Sequence, residues 1–186
     1  MGEYWPVSGK GNTLATCALA LKRAGELNIQ DIVIASNTGE TARLLVGKVE
    51  NLVVVTHHVG FRAPGEDEMT REERDYLTGQ GVRLVTASHL FGGIDRAVTN
   101  KFSGSYPGGL VAQTLRLLGQ GTKVCLEIAT MAMDAGAMPW GRDVIAVAGS
   151  GRGADTALVL RPSHAKTFFD TQVREIICKP RDWEVR

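Results

Sequence analysis

The sequence predicts an α/β fold: a three-layer α/β/α sandwich with a mostly parallel sheet and an antiparallel contribution at one edge. Strand, helix and strand alternate with short links in the first part of the chain, which favours parallel pairing. The last two predicted strands follow each other too closely for a crossover helix, so they predict the antiparallel edge. Apolar, largely β-branched runs, typical of strands buried on both faces, occur at 31–35, 52–56, 82–86, 143–148, 156–160 and 173–178.

Helices are predicted where apolar residues recur at helical spacing or where capping residues occur. Asn12 or Thr13 is expected to cap the first helix, and 70–73 has the Thr-Arg-Glu-Glu pattern of a capping box. The connection 87–109 is long and is expected to hold a helical turn. Residues 1–11 contain a proline and glycines and are predicted to be irregular. The predicted helices lie near 13–25, 42–49, 71–77, 94–99, from 107 onward and at 122–137.

Length, charge and cysteine content narrow the class of protein. We expect one domain over residues 1–186 with a sizeable core, since the mass is 20.0 kDa. The net charge of +1 gives no reason to expect nucleic acid or an anionic membrane as partner. No apolar run is long enough to span a bilayer, the N-terminus lacks a signal-peptide pattern, and the three cysteines are widely separated. These features predict a cytoplasmic protein.

The turn after the first buried strand is predicted to bind a phosphate. It offers hydroxyl donors, a glycine that lets the backbone come close, and the first N–H groups of the helix expected to follow. A helix N-cap is the alternative, although one hydroxyl would suffice for a cap. The residues of this turn are Ser36, Asn37, Thr38, Gly39, Glu40 and Thr41.

A second candidate segment follows the strand at 52–56, where open α/β sheets bind ligands. Adjacent histidines point to opposite sides of an extended chain, so one is expected to face a ligand, and Phe61 offers a ring for stacking. No metal site is predicted, and a structural role for both histidines is the alternative. The segment is His57, His58, Val59, Gly60 and Phe61.

A third candidate is the glycine-rich turn between the fourth and fifth predicted strands. Its backbone N–H groups are expected to meet a ligand, with Arg152 adding positive charge and Asp155 accepting from sugar or ribityl hydroxyls. A flexible hairpin is the alternative. The turn consists of Gly149, Ser150, Gly151, Arg152, Gly153, Ala154 and Asp155.

Two further segments contain a lysine, the residue type that pairs with phosphate. Lys101 is a candidate to neutralise a phosphate, with an ordinary solvated lysine as the alternative. The run 8–13, Ser-Gly-Lys-Gly-Asn-Thr, is only superficially similar to a Walker A loop, because no strand precedes it and glycine follows the lysine. No P-loop is predicted.

The order of these segments resembles that of a known family. The helix with Cys17-Ala18-Leu19-Ala20, the segment 31–42 and the strand at 51–56 resemble the C-terminal α/β domain of pyruvate kinase. The blocks 121–128 and 149–160 resemble stand-alone proteins of that superfamily. The spacing Ser-x-Thr-Gly-x-Thr at 36–41 is also similar to the turn with which flavodoxin-like proteins surround the phosphate of flavin mononucleotide (FMN).

The resemblance implies a three-layer fold, a phosphorylated ligand and, from the stand-alone proteins, bound FMN. It does not imply pyruvate kinase activity, because that catalysis belongs to a separate barrel domain. We therefore expect an FMN-binding protein and candidate flavin-dependent oxidoreductase. The alternatives are a non-catalytic sensor of a phosphorylated metabolite and, ranked lowest, a phosphate-ester enzyme using His57 or His58. Because the kinase domain takes part in oligomer contacts, a homo-oligomer is a further expectation.

Overall fold

A seven-stranded sheet forms the middle layer of the computed structural model, which describes residues 2–183. The strands are β1 Glu3–Val7, β2 Asp31–Ala35, β3 Asn51–Thr56, β4 Arg83–Thr86, β5 Val144–Ala148, β6 Thr156–Arg161 and β7 Gln172–Asp182. The helices are α1 Thr13–Leu27, α2 Arg71–Gly79, α3 Gly93–Phe102, α4 Pro107–Arg116 and α5 Gln120–Asp134.

The sheet has the order β1-β7-β6-β5-β2-β3-β4 and is mostly parallel, as predicted. β2 pairs in parallel with both β3 and β5, and β3 pairs in parallel with β4. The predicted antiparallel contribution comes from β6, which is antiparallel to β5 and β7. β7 then pairs in parallel with β1, so β1 and β4 are the outer strands.

Alternate residues of the central strands supply two hydrophobic cores, one on each face of the sheet. Ile32 and Ile34 belong to the core that α1 and α2 cover, whereas Val33 belongs to the core under α5. Nearly every residue of α5 from 121 to 133 is buried, because the helix packs on the sheet and is covered in turn by α4. These two cores confirm the three-layer arrangement.

The predicted strands at 31–35, 52–56, 82–86, 143–148, 156–160 and 173–178 correspond to β2–β7 within a residue or two, apart from the C-terminal extension of β7. The N-cap at Thr70 is also confirmed, since its side chain accepts a hydrogen bond from Glu73 N at 3.2 Å; the Glu73 carboxylate pairs with Arg43 and does not complete the capping box. The helical turn expected in the long connection is a complete helix, α3.

The prediction that residues 1–11 are irregular was wrong, because Glu3–Val7 forms β1. This strand is short and largely exposed, and it contains Pro6, which outer strands tolerate. Trp5 anchors it, donating from Nε1 to the Asp155 carbonyl at 2.9 Å. Neither an apolar run nor strict alternation marks such a strand in the sequence.

The prediction of a helix at 42–49 was also wrong, since only a single 3₁₀ turn, Ala42–Leu44, forms there. Chain length explains the difference. Residues 42–50 must return along the sheet to the start of β3, and a nine-residue α-helix spans only about 14 Å. A six-residue strand is about 20 Å long, so a looser, more extended path is needed. The apolar spacing instead reflects burial of Ala42 and Leu45.

None of the helices within residues 2–183 is both long enough and apolar enough to cross a membrane.

Candidate functional site

The predicted ligand-binding turns leave the sheet side by side. Ala35 at the end of β2 pairs with Val55 of β3, and its neighbour Ile34 pairs with Val147 of β5. The loops after these parallel strands therefore start at one side of the sheet, which we call the carboxyl edge. It carries the loops 149–155, 36–41, 57–68 and 87–92, in the order of their strands.

The turn 36–41 presents unused backbone donors. Ser36 N donates to Val55 O, but no acceptor within residues 2–183 takes up the N–H groups of residues 37–41. Ser36 Oγ accepts from Ala42 N at 3.3 Å and thereby folds the turn back on itself. Thr38 is exposed, whereas Thr41 is buried. Because no α-helix follows, the donors come from the turn itself and not from a helix end.

Asn37 connects this turn to the histidine segment. Its Oδ1 accepts from His57 N at 2.9 Å, and its Nδ2 lies 3.1 Å from His57 Nε2. The Glu68 carboxylate contacts His57 Nδ1 and also pairs with Arg62 Nε at 3.0 Å. Since a carboxylate accepts from Nδ1–H, Nε2 is left to accept from the Asn37 amide. Both ring nitrogens of His57 are therefore engaged, and an acid–base role would require Nε2 to release the Asn37 amide.

Phe61 lies at the centre of an aromatic cluster at the carboxyl edge. Its ring stacks on His57 with centroids 3.7 Å apart, and the rings of His58 and His89 lie at 5.7 Å and 5.3 Å. His58 is held by a 2.9 Å contact between Nδ1 and Val59 O. Phe61 and Val59 remain exposed, so the cluster presents an apolar surface to solvent. A planar ring could stack there.

His89 was missed in the sequence, although it follows β4 and thus belongs to the next loop of the same edge. Burial lowers its pKa to about 4, an effect that the nearby Glu127 carboxylate partly offsets. His89 therefore stays neutral near pH 7 and adds an uncharged ring to the cluster.

A buried ion pair on α5 contacts the loop 87–92 that carries His89. Lys123 and Glu127 are one turn apart on α5 and contact each other directly, and both are largely inaccessible to solvent. Glu127 also accepts from Phe91 N at 3.2 Å, and Lys123 Nζ lies 5.3 Å from the centre of the Phe91 ring. Burial lowers the pKa of Lys123, while Glu127 acts in the opposite direction. In the sequence this spacing is typical of a surface pair.

The expected role of Asp155 needs correction. This residue is completely buried, and its carboxylate accepts from Gly9 N at 3.0 Å, Ser150 N at 3.2 Å and Thr156 Oγ1 at 2.8 Å. These hydrogen bonds hold the loop 149–155 in its conformation. They occupy the carboxylate, which therefore does not face a ligand. Within this loop, Arg152 is exposed.

The segment 8–13, which is not predicted to be a P-loop, contacts two of the candidate turns. Thr13 Oγ1 accepts from Ala154 N at 3.0 Å, and Lys10 Nζ contacts Glu40 Oε1 at 2.6 Å. The loop 149–155 packs so tightly on this segment that a Cβ on Gly153 would lie 3.0 Å from Lys10 Cα. The sequence holds no signal for this placement, because it depends on β1 and on contacts about 140 residues apart along the chain.

Lys101 is not brought to this edge by any observed contact. It lies in the last turn of α3, is exposed, and has its Nζ 5.6 Å from the ring centre of its neighbour Phe102. The structure therefore gives no support to its proposed role at the phosphate.

Residues 2–183 also contain three cysteines and two open grooves. No group of three or more histidine, cysteine, aspartate or glutamate side chains is placed to hold a metal ion there. The cysteines are free and buried, and burial raises the pKa of Cys17 to about 11, so its thiol is unreactive near neutral pH. One open groove, of about 530 Å³, lies at the starts of β5 and β7, and another, of about 650 Å³, runs along β4 as far as Ala87.

Comparison with known proteins identifies the fold family. The family model for the pyruvate kinase alpha/beta domain matches residues 14–160. The chain belongs to the pyruvate kinase alpha/beta domain family. The match covers the turn 36–41, the histidine segment and the loop 149–155, whereas β1, the segment 8–13 and β7 lie outside it.

A solved structure to which the chain is similar is Cryptosporidium parvum pyruvate kinase in complex with ADP. It is 17% identical in sequence and superposes with a TM-score of 0.40, over 79% of this chain and 22% of that enzyme. The chain thus spans less than a quarter of the length of that kinase.

Proposed function

We propose that the carboxyl edge of this domain binds a phosphorylated small molecule and that the ligand is FMN. The observation that carries the proposal is the row of unused N–H groups at residues 37–41, beside the hydroxyls of Ser36, Thr38 and Thr41. Consecutive free backbone donors form a concave anion site. The phosphate would lie in this turn.

The rest of the ligand would extend along the edge in both directions. The aromatic cluster around Phe61 offers a surface on which a flavin ring could stack, and the loop 149–153 with Arg152 borders the other side of the phosphate turn. When bound, FMN would supply electron-transfer chemistry through its own ring, while these residues would bind and orient it. Flavin-dependent oxidoreductase activity follows as the finer part of the proposal.

A non-catalytic sensor of a phosphorylated metabolite is the second candidate. It is favoured by the engagement of both ring nitrogens of His57, which leaves the site rich in donors but poor in free acid–base groups. The same observation weakens the third candidate, the phosphate-ester enzyme, since His57 would have to release the Asn37 amide for that role.

The test replaces the two threonine hydroxyls of the turn by methyl groups of similar shape, Thr38→Val and Thr41→Val together. The dissociation constant for FMN should rise at least roughly tenfold, because hydrogen bonds to a charged phosphate contribute about 1.5–3 kcal/mol each. Thr99→Val, on the exposed side of α3, is the matched control and should change nothing. Unchanged affinity in the double variant would show that the phosphate does not bind in this turn.

Titration with riboflavin and with sugar phosphates separates the first two candidates. FMN binding well above that of both would favour the flavoprotein, whereas preferential binding of a sugar phosphate would favour the sensor. Both titrations can be followed by isothermal calorimetry on the same preparation.

A further inference from the structure

An ion pair between Lys10 and Glu40 links the segment before α1 to the phosphate turn. Lys10 Nζ lies 2.6 Å from Glu40 Oε1, and both side chains are more than half exposed, at 58% and 69%. Exposed pairs of this kind contribute little to stability and open readily. The tips of both side chains are therefore free to exchange partners.

The backbone of Lys10, in contrast, is fixed. Its carbonyl accepts from Thr13 Oγ1 at 2.6 Å, the preceding Gly9 N donates to the buried Asp155 carboxylate, and Gly153 packs against its Cα. The lysine thus starts from a rigid junction of three chain segments and extends to the turn 36–41. This fixed backbone limits the positions that the Lys10 ammonium group can reach.

A second cation, Arg152, lies in the neighbouring loop 149–155. The hydrogen bond from Lys10 holds the pKa of Glu40 below its usual value, and Arg152 acts in the same direction from the neighbouring loop. Within residues 2–183, Arg152 forms no ion pair, and the buried hydroxyl of Ser150 has no hydrogen-bond partner. Glu40 is thus held by Lys10, beside the free donors at 37–41.

We propose that Lys10 selects ligands with a dianionic phosphate monoester, and that Glu40 competes with that phosphate for Lys10. Without ligand, Glu40 neutralises Lys10. When the phosphate enters the turn, Lys10 transfers its ion pair to the phosphate and Glu40 turns to solvent. This inference rests on the proposed phosphate site and adds the groups that set its charge preference.

The test measures binding of inorganic phosphate by ³¹P NMR or calorimetry to the wild type and to single variants. Lys10→Gln should weaken binding roughly tenfold, the loss expected for one charge-assisted hydrogen bond. Glu40→Gln should strengthen binding, because the competitor is gone, and should do so less in the Lys10→Gln background. Lys22→Gln is the matched control, since Lys22 pairs with Glu26 on the exposed side of α1 and is comparably exposed.

Unchanged phosphate affinity in both Lys10→Gln and Glu40→Gln would overturn the inference, as would weaker binding in Glu40→Gln. The absence of any phosphate or FMN binding, even by Glu40→Gln, would overturn it together with the proposed function. Phosphate binding with the expected dependence on both residues, but without FMN binding, would support the inference. It would exclude only FMN as the ligand. FMN binding that depends on Thr38 and Thr41 but not on Lys10 or Glu40 would leave the function standing without this charge exchange.

Discussion

The Lys123–Glu127 ion pair is the residue-scale feature whose removal should most affect stability. Both groups are nearly inaccessible, and Glu127 also accepts from Phe91 N. Taking one charge from a buried pair leaves the other without compensation, which typically costs 3–5 kcal/mol. Lys123→Met should therefore lower the free energy of unfolding in urea at pH 7 by about 3 kcal/mol.

A second variant separates the buried charge from the loss of packing. Glu127→Gln keeps an oxygen for Phe91 N but removes the negative charge, so the double variant Lys123→Met/Glu127→Gln should be more stable than Lys123→Met alone. If the two losses simply add, the pair is solvated in solution and the buried-charge argument is wrong.

At the residue scale, the sequence predicted which polar side chains lie at the carboxyl edge better than it predicted what they contact. The hydroxyls of the turn 36–41, the histidine segment and Arg152 were all recognised as polar groups after buried strands. Asp155 was recognised too, but its carboxylate is used up by internal donors. Whether a polar group faces a ligand or the chain itself depends on neighbours that are distant in sequence, here Gly9.

At the scale of elements, the loop 149–155 depends on a close approach that only glycine permits. Gly153 has φ +74°, and an added Cβ would overlap Thr13 Oγ1 and press on the Lys10 backbone. Gly47 has a similar φ of +71° with open space around it, so it is the matched control. Gly47→Ala should cost only backbone strain, about 1–2 kcal/mol.

Gly153→Ala should cost clearly more than Gly47→Ala in the same urea titration, because the contact with the segment 8–13 is added to the strain. It should also displace Lys10 and weaken phosphate binding, which Gly47→Ala should not do. Equal losses of stability in the two variants would mean that the loop and the segment are not packed together in solution.

The elements that the sequence predicted are those that local pattern specifies. The interiors of β2, β3 and β5 are apolar because these strands are buried on both faces, and α2 begins at the N-cap Thr70, whose hydrogen bond forms. The two wrong predictions, at β1 and at 42–49, concern segments whose structure depends on other parts of the chain. β1 exists because β7 offers it a partner, and the length of the crossover excludes a helix after the phosphate turn.

At the scale of the whole molecule, topology brings the candidate site together. Parallel strands place the loops after β5, β2, β3 and β4 at one edge, and this part of the site could be predicted from the order of strands and helices. The contribution of the segment 8–13 could not, because it requires the pairing of β1 with β7 at the other end of the chain. The family match from residue 14 onward likewise omits it.

The most direct measurement is the absorption spectrum of freshly purified protein, with mass spectrometry of any molecule released on denaturation and with added FMN as the second step. FMN near one per chain, or a shifted flavin spectrum on addition that is weakened by Thr38→Val/Thr41→Val, is the predicted result. A colourless protein whose addition leaves the FMN spectrum unchanged would contradict FMN as the ligand of this edge.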